Sequence, residues 1–184
     1  YGLLISVLGY GLLFKKICYN HFNQFEEQNN IYIGFYGLFF LTTISLITSL
    51  FVSHNYFHNG LIHLIGILSL IFIGFKEKKN FLKNIFFISI FVISALLISK
   101  THDDFAYYHL PFTRYLAEQK IIFGMGMLSH GYKLISSLFF LNSTLYLPFI
   151  NFFSFHFTLI FFLIFFNYFL LKEIFSKYTN NVIK

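Results

Sequence analysis

The sequence predicts an all-α protein of membrane-crossing helices. Three observations carry that expectation: apolar runs of nearly bilayer length, very few charges to interrupt them, and more aromatic rings than a water-soluble core can hide. Of 184 residues, 57% are hydrophobic and 11% charged, whereas soluble domains carry roughly a quarter charged residues. The 30 Phe residues would leave rings on the surface of a soluble domain, but lipid accepts them on every side of a helix.

A bilayer core of about 30 Å needs roughly 20 apolar residues in a helix. Residues 1–14 form a first run, closed by Lys15 and Lys16. Ile31 to Val52 is the cleanest run, and Leu61 to Phe75 is short but extendable at both ends. Phe81 to Ser99 is interrupted only by Lys83 and Asn84, and Phe149 to Leu171 is nearly unbroken. In lipid these runs must be helices, because isolated strands would leave backbone donors and acceptors unpaired. About five spans are expected: residues 1–99 supply about four, 100–148 form a long loop, and 149–184 add a last span and its end. The chain opens inside an apolar run without Met or a basic leader, which reads as a fragment of a longer protein rather than a signal peptide.

Short loops rich in Lys and Arg stay on the cytoplasmic side. Lys15 and Lys16 follow the first run, Lys76, Lys78, Lys79 and Lys83 flank the start of the fourth, and Lys172 and Lys177 follow the last. If each run crosses once, all three groups fall on one side. The Ser53 to Gly60 loop and the Lys100 to Pro148 segment then fall outside, in the pattern of a bacterial inner-membrane protein. Leu134 to Leu147 is apolar but carries Ser136, Ser137, Asn142, Ser143 and Thr144, which suits an interfacial helix better than a further crossing.

Other classes are excluded. Cys18 is the only cysteine, so neither an internal disulfide nor a zinc site of paired cysteines is available. The formal charge is +6, yet the basic residues are scattered between apolar runs and form no nucleic-acid-binding stripe. The partner implied is the lipid bilayer.

Chemistry concentrates in residues 100–118, within the segment that holds both Pro residues, the only Arg and both Asp. Asp103 or Asp104 can cap the helix that follows, which explains one acid but not two in a row. Helical spacing puts Asp104 and Tyr108 on one face, with Pro111 kinking that helix or opening a new one. Two adjacent carboxylates repel unless a divalent cation or Lys100, His102, His109 or Arg114 balances them. A carboxylate at the lipid boundary is a candidate general base.

This stretch resembles the C-type membrane glycosyltransferases that use polyprenyl-phosphate sugar donors, such as protein mannosyltransferases and aminoarabinose transferases. Those proteins follow a membrane helix with an acidic pair, a Tyr-bearing helix, and a basic or polar patch before a half-buried helix. Asp103 and Asp104 stand at the acidic pair, Tyr107, Tyr108 and His109 follow, and His130 to Leu134 precede the interfacial helix. The resemblance covers roughly Phe81 to Leu171 through a short motif. A related bacterial membrane family carries a similar Asp-Asp, Tyr-His and Pro pattern. The chain departs in having four runs before the loop rather than one, and in lacking a Pro-Pro-Leu step. The resemblance implies inverting displacement at the anomeric carbon, with Asp103 or Asp104 as base and polyprenyl phosphate leaving. Lys100, Arg114 and Lys133 would balance phosphate charge, with Tyr108, His109 and His130 binding substrate. The alternative is a non-enzymatic polytopic protein, part of a transporter or an assembly subunit.

Weaker signals have simpler readings. His54 and His58 lie at helical spacing, with His63 further on, which suits interfacial hydrogen bonding better than metal ligation, since no carboxylate is near. His156 reads as a helix-to-helix hydrogen-bonding residue. Residues 124–127, Gly-Met-Gly-Met, lack the Lys-Ser/Thr ending of a phosphate loop and read as a turn. Gly2, Ser6 and Gly9 give the first helix a small-residue face that lets another span approach. Labelling single cysteines from each side of intact cells, in a Cys18→Ser background, should place positions 103 and 104 on the face opposite residues 76–83.

Overall fold

The computed structural model describes residues 1–21, 32–74, 79–94, 103–127, 132–133 and 136–182. Among them the fold is all-α, with no strand. Five longer helices match the five apolar runs: α1 (Gly2–His21), α2 (Ile33–Ser49), α3 (Tyr56–Gly74), α4 (Lys79–Ile93) and α7 (Phe157–Val182). Two short helices, α5 (Leu110–Glu118) and α6 (Ser137–Thr144), lie between α4 and α7. A π-helical turn, Phe105–His109, leads into α5, and a 3-10 segment, Asn151–His156, leads into α7.

By length and composition, two segments among the described residues are long and apolar enough to cross a membrane: Tyr56–Ile73 and Asn151–Phe175. The apolar helices α2 and α4 are shorter, with 17 and 15 residues. Two boundaries differ from the hydropathy reading. Helix α3 begins at Tyr56, five residues before the apolar run, because the Asn55 Oδ1 accepts from the His58 N–H at 3.0 Å and caps its first turn. Regular α-helix in the last run starts only at Phe157, because Phe149 (φ 73°) and Asn151 (φ 49°) turn the chain in the left-handed region.

Helix α1 is the spine, packed against both α2 and α3. Its approach to each is backbone to backbone: a Cβ on Gly9 would collide with the Gly66 carbonyl, one on Gly37 with that of Val7, and one on Gly11 with that of Ile33. Ser6 and Gly9 thus form the predicted small-residue face, while Gly2 faces open space. The Tyr10 hydroxyl donates to Ile62 O at 2.8 Å, fixing the register of α1 on α3. Residue numbers rise together across α1 and α3 and in opposition across α1 and α2, so the helices alternate up and down. Helix α4 lies antiparallel to α7, with Phe81 edge-on to Tyr168 at 5.2 Å.

This alternation sorts the charges. One end of the bundle carries Lys16, Lys83 and Lys172, and the other carries His54, Asn59 and the acid-bearing segment. Within the helices, hydroxyls are satisfied by their own backbone: Thr42 donates to Leu38 O at 2.7 Å, Ser45 to Leu41 O at 2.9 Å and the exposed Thr43 to Phe39 O at 3.0 Å.

Helices α5 and α6 close the polar end over a second, aromatic core of Phe112, Leu116, Met125, Phe139 and Phe140. An eight-residue helix rises only about 12 Å, so α6 caps the bundle rather than crossing it. Replacing Gly9 by Ala should cost about 1–3 kcal/mol or more in detergent unfolding, because α1 and α3 must separate. The matching Gly60→Ala change meets nothing within 4 Å and should gain up to about 1 kcal/mol from helix propensity.

Candidate functional site

The acid-bearing segment enters the described residues at Asp103, which is exposed; Asp104 is half-buried. Asp104 occupies the position before the π-turn in αR conformation and its side chain makes no capping bond, so Asp104 is not the cap that the sequence allowed. The Tyr108 hydroxyl instead donates to Asp104 Oδ2 at 3.3 Å, the one-turn pairing that the spacing predicts. Desolvation, then the Asp104 charge and hydrogen bond, raise the Tyr108 phenol above its ordinary value.

Pro111 explains the local geometry. It has no N–H and its ring crowds the carbonyl four residues back, so a regular helix would kink there. The turn widens instead, the Leu110 N–H reaching back five residues to Phe105 O, and α5 continues with Pro111 in its first turn. Pro111 thus stands in the opening turn of α5, one of the two outcomes the sequence left open. The result turns Phe105 and His109 toward α6 and the start of α7. His109 packs on Phe139 at 5.1 Å, and Phe105 stacks on His156 at 5.1 Å. His156 therefore meets an aromatic ring rather than a hydrogen-bonding helix. Between these elements lies a cavity of about 190 Å³, its polar lining supplied by His109, Thr113, Asn142, His156 and Thr158.

Arg114 does not join the acids. It lies ten residues beyond Asp104, roughly 15 Å along the helix axis, and pairs with Glu118 at 2.7 Å on the exposed face. Its guanidinium sits 5.5 Å from the Phe152 ring centre, beside a ladder in which Tyr56, Tyr146 and Phe152 stack in turn. The Tyr146 phenol is pushed up to about 12, first by its hydrogen bond to Tyr56, then by burial. Lys133 is exposed beside Gly126, its neighbour Tyr132 packed on Phe112. Lys100, His102 and His130 lie outside the described residues. Among the described residues no three His, Cys, Asp or Glu side chains group closely enough to hold a metal ion.

Sequence reasoning missed the most densely bonded feature, a buried node at the same end. The Asn59 amide donates to the carbonyls of His54 (2.7 Å), Ser143 (2.8 Å) and Tyr146 (2.8 Å). The Ser143 hydroxyl gives its hydrogen to Phe140 O at 2.7 Å, so its oxygen accepts from His54 Nδ1. His54 Nε2 lies 3.1 Å from the Thr48 hydroxyl, which also reaches Ser45 O at 3.3 Å. His63 faces Thr144 O through Nε2 at 2.9 Å and Ser6 through Nδ1 at 3.0 Å. His54 and His58 stack at 4.8 Å, and His58 Nδ1 meets Asn59 Oδ1 at 3.1 Å. The histidines that could have read as metal ligands are hydrogen-bonding residues. Burial, then the neighbouring His58, push the His54 imidazole down to about 3.

The described residues thus define a helical bundle whose polar end is tied by a buried amide-imidazole node and capped by a short acid-bearing helical segment. The chain belongs to the family described as Domain of unknown function (DUF8201), which matches residues 2–183. No curated protein and no solved structure matches it.

His54 is neutral when folded, while the unfolded chain takes up a proton below about 6.5. Stability is therefore full above that pH and falls as pH drops toward about 3. His54→Gln should make this acid-side slope shallower in unfolding measured against pH. Asn59→Leu strands three carbonyls and should lower stability by on the order of 3 kcal/mol at neutral pH.

Proposed function

We propose that the chain is the membrane-embedded, acid-bearing part of a glycosyltransferase-like protein of the bacterial inner membrane. It would transfer a sugar from a polyprenyl-phosphate donor to an acceptor outside the cytoplasm. The membrane setting is supported by the helix exteriors. Phe39, Phe72, Phe87 and Leu159 are 61%, 82%, 62% and 67% exposed, which water would penalise and lipid would not. In-helix hydroxyl bonds and glycine contacts are how helices pack where the solvent is already apolar. On this reading α1, α2 and α4 cross together with α3 and α7, making about five spans with the lysine-rich end in the cytoplasm.

The observation that carries the enzymatic reading is the Asp104–Tyr108 pair, one residue from the two rings, Phe105 and His109, that wall the polar cavity. Asp103 or Asp104 would take the acceptor hydroxyl proton as that oxygen attacks the anomeric carbon and the polyprenyl phosphate departs. Lys133 stands exposed for the phosphate, and Lys100 is its companion in sequence. Arg114 is a weaker candidate than the sequence suggests, because Glu118 already neutralises it. That pairing, beside an exposed aromatic ladder, favours the second reading, an assembly subunit that meets a partner through this face.

Asp103→Asn and Asp104→Asn in the full-length protein should separate the two. Loss of the base should lower transfer from a polyprenyl-phosphate sugar by about 10²–10⁴-fold, with helix content unchanged. Undiminished turnover in both variants would overturn the base assignment and leave the subunit reading.

A further inference from the structure

The turn that follows α5 carries exposed apolar side chains that the proposed chemistry does not use. Residues 119–127, Gln-Lys-Ile-Ile-Phe-Gly-Met-Gly-Met, contain no acid. Ile122 is 55% exposed, Phe123 87% and Met127 89%, while Met125 points inward to the aromatic core. Three large apolar side chains at the tip of a loop are costly in water. Two cations flank them: Lys120 on one side and Lys133, beside Gly126, on the other, both exposed.

The turn is also fixed in height. The Ile121 N–H donates to Ser49 O at 2.9 Å, and the Tyr115 hydroxyl donates to Lys120 O at 2.9 Å. Ser49 is the last residue of α2, and beyond it Leu50, Phe51 and Val52 are themselves 44%, 71% and 45% exposed. The apolar tip is therefore level with the end of α2, at the boundary where an apolar helix gives way to polar chain. Gly124, at φ 90°, supplies the left-handed residue that turns Phe123 outward.

We infer that this turn is a membrane-interface anchor, in which Ile122, Phe123 and Met127 enter the outer leaflet beside the end of α2 while Lys120 and Lys133 meet anionic lipid headgroups. The inference rests on the reading that the five long helices cross the bilayer. Its occupant is set by chemistry: apolar tips a few ångströms deep with cations at the rim fit an anionic lipid surface. It also gives α5 a mechanical role, since an anchored turn holds the acid-bearing segment against the membrane.

The chain contains no Trp, so a Phe123→Trp variant of the full-length protein adds one fluorophore over its parent. It is reconstituted in phosphatidylcholine vesicles with and without phosphatidylglycerol, using lipids brominated at different depths. Ile65→Trp, half-exposed midway along α3, reports the span itself. Position 123 should be quenched best by shallow bromines, as insertion of about 5–10 Å requires, and position 65 by deep ones. Lys120→Gln with Lys133→Gln should reduce quenching at 123 only where phosphatidylglycerol is present. Quenching at 65 but not at 123 would overturn the anchor and leave the span, whether the tip emits as if in water or as if covered by protein. Quenching at neither would overturn both.

Discussion

The Asn59 carboxamide holds the polar end of the molecule together. Its two hydrogens are shared among three carbonyls, from the loop before α3, from α6 and from the chain beyond α6. The neighbouring bonds from His54 and His63 converge on Ser143 and Thr144, so the amide and the two imidazoles together set the register of α6 on the start of α3. In a low-dielectric interior such bonds gain strength, and an unpaired member costs more, so the network favours one arrangement over near alternatives. The second core, the π-turn and the acids are all hung from α6, and their positions inherit this one.

The long helices were readable because hydropathy is a local property and bilayer length is a strict ruler. Charge placement was equally legible: Lys16, Lys83 and Lys172 share an end, as short basic loops imply. Among the described residues two of the five runs meet the full length and composition of a span, and α2 ends at Ser49, before its apolar run does. The start of α3 was readable in principle from Asn55, a residue type that caps helices. The late start of α7 was not, since Phe149 is the last kind of residue expected at positive φ.

The candidate site was legible where it is local and opaque where it is not. Asp104 and Tyr108 are four residues apart, and helical spacing alone pairs them. Arg114 failed for the same reason, since Glu118 is four residues away and the acids ten. The node joins residues 81 to 89 positions apart, a separation that no periodicity within one sequence encodes. What the sequence did show was surplus: Asn59, His54 and His63 are expensive residues to place next to apolar runs, and each had to be satisfied somewhere.

The polar end divides into groups turned inward and groups turned outward. His54, Asn59, His63, Ser143 and Thr144 are buried and have their hydrogen-bonding capacity engaged within the fold. A buried imidazole held neutral far below physiological pH is poorly suited to proton transfer, and an amide that loses three carbonyls when it moves is poorly suited to gating. Under the proposed function, chemistry at this end would fall to Asp103, Asp104, His109 and Lys133, which reach the surface or the cavity without dismantling the node. Rigidity is useful to such groups, because a base acts only within hydrogen-bond reach of its proton. The inward set fixes α6, α6 fixes the aromatic core beneath α5, and that core sets the direction in which the outward set points.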